Sequence, residues 1–96
     1  MRDLDEIQPE RPDQGFQFPG IFEVTAMGRA DGPILERVPE ILERIGVSVQ
    51  AGSLRTRPSR EGKYLSVTIA FTCPDREHYD AAHAALRADE SVKWTL

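Results

Sequence analysis

Tyr64-Leu65-Ser66-Val67-Thr68-Ile69-Ala70-Phe71 alternates along its whole length. Successive side chains of an extended strand point to opposite faces, so Leu65, Val67, Ile69 and Phe71 share one side and Tyr64, Ser66, Thr68 and Ala70 the other. One side is apolar and belongs in a core. The other is mostly polar and is left uncovered. This strand therefore lies in a sheet covered on one face only.

Upstream, Pro58-Ser59-Arg60-Glu61-Gly62 reads as a hairpin connection. It leads back to a strand over Val47 to Arg57, whose apolar parity slips between Val49 and Leu54; Gly52 marks a bulge there. Further back, Phe22, Val24 and Ala26 alternate with Glu23, Thr25 and Met27 in a strand over Ile21 to Met27, which Gly28 ends. A helix follows, with Asp31 as its N-cap and Pro33 in its first turn. Ile34, Leu35, Val38, Ile41, Leu42 and Ile45 form its apolar face, and Gly46 is its stop. Pro39 lies inside and is expected to kink or loosen one turn.

Downstream, Thr72 caps a second helix, with Pro74 in the first turn and Asp75 closing a capping pair. Tyr79, Ala82 and Leu86 form its stripe. A final strand over Ser91 to Leu96 turns Val92, Trp94 and Leu96 to the core. The order is β-α-β-β-α-β. Right-handed crossovers interleave such halves into a four-stranded antiparallel sheet with both helices on one face, the ferredoxin-like sandwich of the α+β class. Thr25, Ser66 and Thr68 line its uncovered face.

Met27-Gly28-Arg29-Ala30-Asp31, Gly62-Lys63-Tyr64-Leu65-Ser66-Val67 and Val92-Lys93-Trp94-Thr95-Leu96, in that order and spacing, resemble the YbeD-like family of small bacterial proteins over about Phe16 to Leu96. The resemblance implies the same sandwich and a cytoplasmic regulatory or binding role with no established enzymatic activity. Some members are encoded near lipoate-biosynthesis genes, which is a context and not an activity. Gly28 to Leu35, followed by Ile41-Leu42 and Gly46-Val47, distantly resembles the first loop and helix of ACT domains, regulatory modules that bind amino acids at paired interfaces. Here Gly32-Pro33 reverses the usual Pro-Gly order. The likeness implies a small-molecule site where this loop meets another subunit.

The 96 residues hold one domain, with 40% hydrophobic and 29% charged residues, a globular composition. Residues 1–15 carry five acids against two arginines, with Pro9 and Pro12 and no apolar period, and read as a flexible acidic tail preceding a domain over 16–96. The net charge of −4 opposes general attraction to nucleic acid or anionic membrane. No apolar run approaches the roughly 18 residues that span a bilayer. The start lacks the apolar segment of a signal peptide, so the cytoplasm is the expected location.

Two surfaces stand out as binding candidates. Gly28, Arg29, Ala30, Asp31 and Gly32 could present helix N-terminal amides to a carboxylate, unless Asp31 already caps them; otherwise they are a tight connection. Arg55, Arg57, Arg60 and Lys63, with Tyr64 and Ser66 beside them, form a basic hairpin suited to an acidic protein partner or to the acidic tail; otherwise they are solvated charges that discourage edge pairing. The expected function is a regulatory module binding a small metabolite or a protein partner. The alternative is a stand-alone adaptor that grips an acidic protein through the hairpin. An open sheet face also leaves room for a homodimer.

RNA-binding domains of this fold stack bases on aromatics of the central strands, and Tyr64 alone offers that here, so nucleic acid is disfavoured. Catalysis is disfavoured too. His78 and His83 are five residues apart and point to different sides of their helix, and Cys73 reads as a strand-end residue. No metal or cofactor motif is present in the sequence.

Overall fold

The computed structural model describes residues 17–95. The acidic segment 1–15, with Phe16 and Leu96, lies outside the described residues. Strand β1 (Gly20–Arg29) leads to helix α1 (Ile34–Arg44), short strands β2 (Ser48–Val49) and β3 (Arg55–Pro58), long strand β4 (Tyr64–Cys73), helix α2 (Arg76–Ala88) and strand β5 (Trp94–Thr95). β4 and β1 pair antiparallel over ten residues each, from Gly20 opposite Cys73 to Arg29 opposite Tyr64. β2 and β3 both flank β4, and β5 flanks β1, so the sheet has four positions and the expected ferredoxin-like order.

The alternation in β4 assigns the faces as expected. Val67, Ile69 and Phe71 are buried, joined by Val24 and Ala26 of β1, by Ile34, Val38, Ile41 and Leu42 of α1 and by Ala82 and Leu86 of α2. Leu65 and Phe22 pack partly buried against this cluster. Phe71 is fully enclosed; truncating such a ring costs about 3–5 kcal/mol through lost transfer energy and the cavity left behind.

The second strand departs from the expected single run. Val49 lies opposite Phe71 and Arg55 opposite Thr68, so the edge uses six steps where β4 uses three. The extra residues loop out at Gly52, whose φ of +79° suits glycine. Ser53 closes the gap. The Ala70 amide, which would otherwise lack a ladder partner, donates to Ser53 Oγ at 3.0 Å, and the Ala70 carbonyl accepts the Gln50 amide at 2.8 Å.

Both helix starts differ from expectation. Pro33 occupies the cap position of α1 with no side-chain cap bond, because Asp31 turns away to Arg29. Asp75, not Thr72, caps α2 by accepting the His78 amide at 2.8 Å, while Thr72 accepts from Nε2 of Gln50, just after β2. α1 runs through Pro39 without a break in its helical span. Its end is a Schellman motif: Val47 N–H donates to Leu42 C=O and Gly46 N–H to Glu43 C=O, with Gly46 at φ +95°.

The last strand requires a further correction. Val92 is buried, as expected, but Trp94 is 52% exposed. Val92 belongs to the turn after α2, its amide donating to Asp89 C=O, and strand pairing begins only at Trp94 opposite Met27. Met27 lies on the uncovered face, next to buried Ala26, and Trp94 shares that face. Period-two counting from Val92 fails because Val92 is not in the ladder.

Candidate functional site

The two candidate surfaces meet different fates in the fold. Gly28 is wedged: a Cβ there would lie 2.2 Å from the Ser91 carbonyl oxygen and 3.1 Å from Ile34 side-chain atoms. Ala30 N–H donates to Lys63 C=O at 2.9 Å, and Gly32 N–H to Arg29 C=O at 3.1 Å. Arg29 grips Asp31 with Nε at 3.0 Å and a second nitrogen at 3.2 Å, raising the guanidinium pKa and lowering that of the carboxyl. β1 runs through its expected stop at Gly28 to Arg29, and these bonds make its end and the turn to Gly32 a packed joint with the hairpin and the segment before β5.

A cleft of about 430 Å³ opens beside that joint, lined by Arg29, Gly32, Pro33, Arg37, Asp89 and Lys93 among others. Its charges are largely spent internally. Arg37 bridges Glu40 and Asp89, and Asp89 also accepts from the Ser91 hydroxyl and amide. The Arg37 guanidinium, followed by Ser91, holds the Asp89 carboxyl down to about 2. Lys93 is the lining cation with no ion pair among the described residues.

The uncovered sheet face is different in kind. Pairing places its side chains in rows across the strands. Arg57 of β3, Ser66 of β4, Met27 of β1 and Trp94 of β5 form one row. Arg55, Thr68 and Thr25 form the next, with the Thr25 and Thr68 hydroxyls 2.8 Å apart. Two shallow concavities share Arg57 and Ser66. One of about 420 Å³ is lined by Thr25, Arg55, Thr56 and Thr68; the other, of about 570 Å³, by Met27, Pro58, Ser59 and Arg60.

At one end of this trough Tyr64 and Trp94 meet edge to face, centroids 5.3 Å apart at 73°, and Lys63 Nζ lies 5.7 Å from the Tyr64 ring centre. Arg55 crosses the face to Glu23 at 2.7 Å. Arg57 and Arg60 have no carboxylate partner among the described residues. All six residues singled out around the hairpin, Arg55, Arg57, Arg60, Lys63, Tyr64 and Ser66, are thus gathered along one surface. Sequence reasoning missed Trp94, and the only available signal was that the stretch before it is a turn.

The catalytic candidates do not assemble. Cys73 is buried and donates to the Asp75 carbonyl at 3.2 Å, and burial raises its thiol pKa. His78 Nδ1 lies 2.7 Å from Asp75, whereas His83 packs on Tyr79 at 4.7 Å and burial lowers its pKa. Among the described residues no three His, Cys, Asp or Glu side chains are grouped to hold a metal, and no helix is long and apolar enough to cross a membrane.

A family profile described as Protein of unknown function (DUF493) matches residues 13–96. A UPF0250 protein of Xanthomonas campestris pv. campestris is 46% identical over 91 residues, covering 95% of this chain and 99% of that one. Similar proteins occur in Stenotrophomonas maltophilia (46%) and Xylella fastidiosa (45%), over the same shares of both chains. Among solved structures, HP0495 of H. pylori aligns with TM-score 0.67 at 14% identity, over 93% of this chain and 98% of that one. The ACT domain from the GTP pyrophosphokinase of Chlorobium tepidum aligns with TM-score 0.63 at 5% identity, over 79% and 94%. These two establish the likeness of fold.

Proposed function

The chain belongs to the DUF493 family, and on that footing we propose that it is a regulatory binding module that recruits a protein partner onto the uncovered face of its sheet. The observation that supports this most is Trp94. A tryptophan more than half exposed, set against Tyr64 and beside Met27 on a largely polar face, is a large apolar area that a partner would remove from water. Partner interfaces are enriched in tryptophan, tyrosine and arginine, the residues gathered here. Two copies paired about a two-fold axis through the hairpin would oppose Arg55, Arg57 and Arg60 with themselves, which argues for a different partner over a homodimer centred there.

A photo-crosslinking amino acid at Ser66, in the trough, tests the proposal against the same group at Glu43, exposed on α1. In cells the trough position is expected to yield a discrete protein adduct that the helix position does not. Adducts from both positions alike, or from neither, overturn the proposal.

A second reading keeps a small carboxylate metabolite in the cleft beside Arg29, Arg37 and Lys93. It is supported by the volume of that cleft and by the ammonium of Lys93, which has no ion pair among the described residues. Titration with amino acids and short dicarboxylates, followed through the amides of residues 29–33 and 89–93, decides it: saturable shifts support the site, and flat spectra remove it.

A further inference from the structure

We infer that the segment received by the uncovered face is an extended acidic peptide that places an apolar side chain four residues from a carboxylate. This rests on the reading of that face as a protein-recruiting surface and names the chemistry of its partner.

Three observations carry it. The face already holds a carboxylate of its own: Glu23 reaches Arg55 at 2.7 Å over the threonine floor. Arg57 and Arg60, which line the adjoining concavity, offer the same guanidinium forks with no carboxylate on them among the described residues. Guanidinium forks match carboxylates in geometry as well as charge.

The spacing is also set. Arg57 and Trp94 lie in one row, separated by β4 and β1. Three inter-strand steps make about 14 Å, and an extended peptide advances about 3.4 Å per residue. A carboxylate on Arg57 therefore puts the side chain four positions away at Trp94. Positions differing by an even number share one side of an extended chain, so both side chains face the sheet. A second acid two positions further along the same side of the peptide extends past β3, still near the positive charge of the hairpin.

The aromatic pair favours a peptide over a nucleic acid. Tyr64 and Trp94 turn edge to face at 73°, so they do not form two parallel platforms for successive bases. An aliphatic side chain needs only the apolar wall they make with Met27.

Trp94 is the sole tryptophan of the chain, so its emission reports on the site directly. The full-length protein is titrated with a blocked nine-residue peptide, aspartate at its first and third positions and leucine at its seventh, on a background of threonine and glycine. A saturable blue shift is expected. It should weaken at least about tenfold when both aspartates become asparagine, and by a similar factor in Arg57→Glu/Arg60→Glu. Moving the leucine to the sixth position, on the other side of the peptide, should also weaken it. Equal binding of the asparagine peptide, a shift with a nonamer of uridylate but none with the peptide, or no saturation by any peptide overturns the inference. If any of these comes with the Ser66 adduct intact, the protein-recruiting role survives and only the acidic chemistry falls. Loss of the adduct removes both.

Discussion

Arg37 on α1 and Asp89 just after α2, 52 residues apart in sequence, form an ion pair over which the two helices and the approach to β5 are joined. The Asp89 side chain is only 11% exposed, and Ser91 supplies two further donors to it. Its pKa is lowered from 3.8 to about 2. A carboxyl with a depressed folded-state pKa stabilises the fold in full above its unfolded value and loses that contribution as pH falls through the folded one. The window here runs from about pH 4 down to about pH 2. Asp89→Asn is therefore expected to cost on the order of 2 kcal/mol at pH 7 and next to nothing near pH 2, read from urea unfolding at each pH. A difference that stays constant across that range would show that the charge is not what Asp89 contributes.

Gly28, near the end of β1, and Gly32, in the turn that follows, are under opposite constraints. A Cβ at Gly28 would collide with the Ser91 carbonyl oxygen at 2.2 Å, whereas one at Gly32 would meet nothing closer than 3.5 Å. Neither needs a left-handed backbone, so the contrast is one of space. Gly28→Ala is expected to destabilise by about 1–3 kcal/mol, the range for overpacking, and to lower the melting temperature accordingly. Gly32→Ala should be within about 0.5 kcal/mol of the parent. Equal effects would mean that the loop is not the tight joint its hydrogen bonds describe.

Cys73 closes β4 beneath the helices, fully buried, with a thiol that burial makes harder to ionise. Since the thiolate is the reactive form, the folded protein is expected to react with an aromatic disulfide reagent far more slowly than the chain in denaturant, with the native rate tracking global unfolding. Fast native labelling below pH 8 would show that the Cys73 thiol is not shielded as its burial implies.

What the sequence makes legible follows the length of each pattern. β4 alternates over ten residues and α1 keeps its apolar face through Ile41 and Leu42, so the sandwich, its core and its bare face could all be read before any coordinates. The hairpin arginines could be read as one patch because Arg55 and Arg57 are two apart on a strand. Local competition hid the rest. Arg29 takes Asp31 away from the helix start, and Asp75 lies one turn before the His78 amide, where it caps better than Thr72. β5 has two paired residues, too few for a period to declare itself, and its parity is set by Met27 across the ladder. The candidate face was thus visible in its arginines and Tyr64 and hidden at Trp94.

That hidden position gives the sharpest separation between an alternating pattern and a folded one. Val92 and Trp94 are two apart and would share a face if the strand began at Ser91, in which case replacing the larger side chain would cost more. In the fold Val92 is 9% exposed in the core and Trp94 is 52% exposed against Tyr64. Val92→Ala is expected to cost about 2 kcal/mol, the transfer energy of a buried valine with its cavity. Trp94→Ala should cost about 1 kcal/mol or less, the worth of one edge-to-face aromatic contact at the surface. Chemical denaturation of both variants measures the order directly. The same Trp94→Ala protein, folded and nearly as stable as the parent, should lose the adduct at Ser66, because the area the partner covers is gone while the scaffold remains. If the order of costs is reversed, Trp94 belongs to the core, and the surface proposed for the partner loses its anchor.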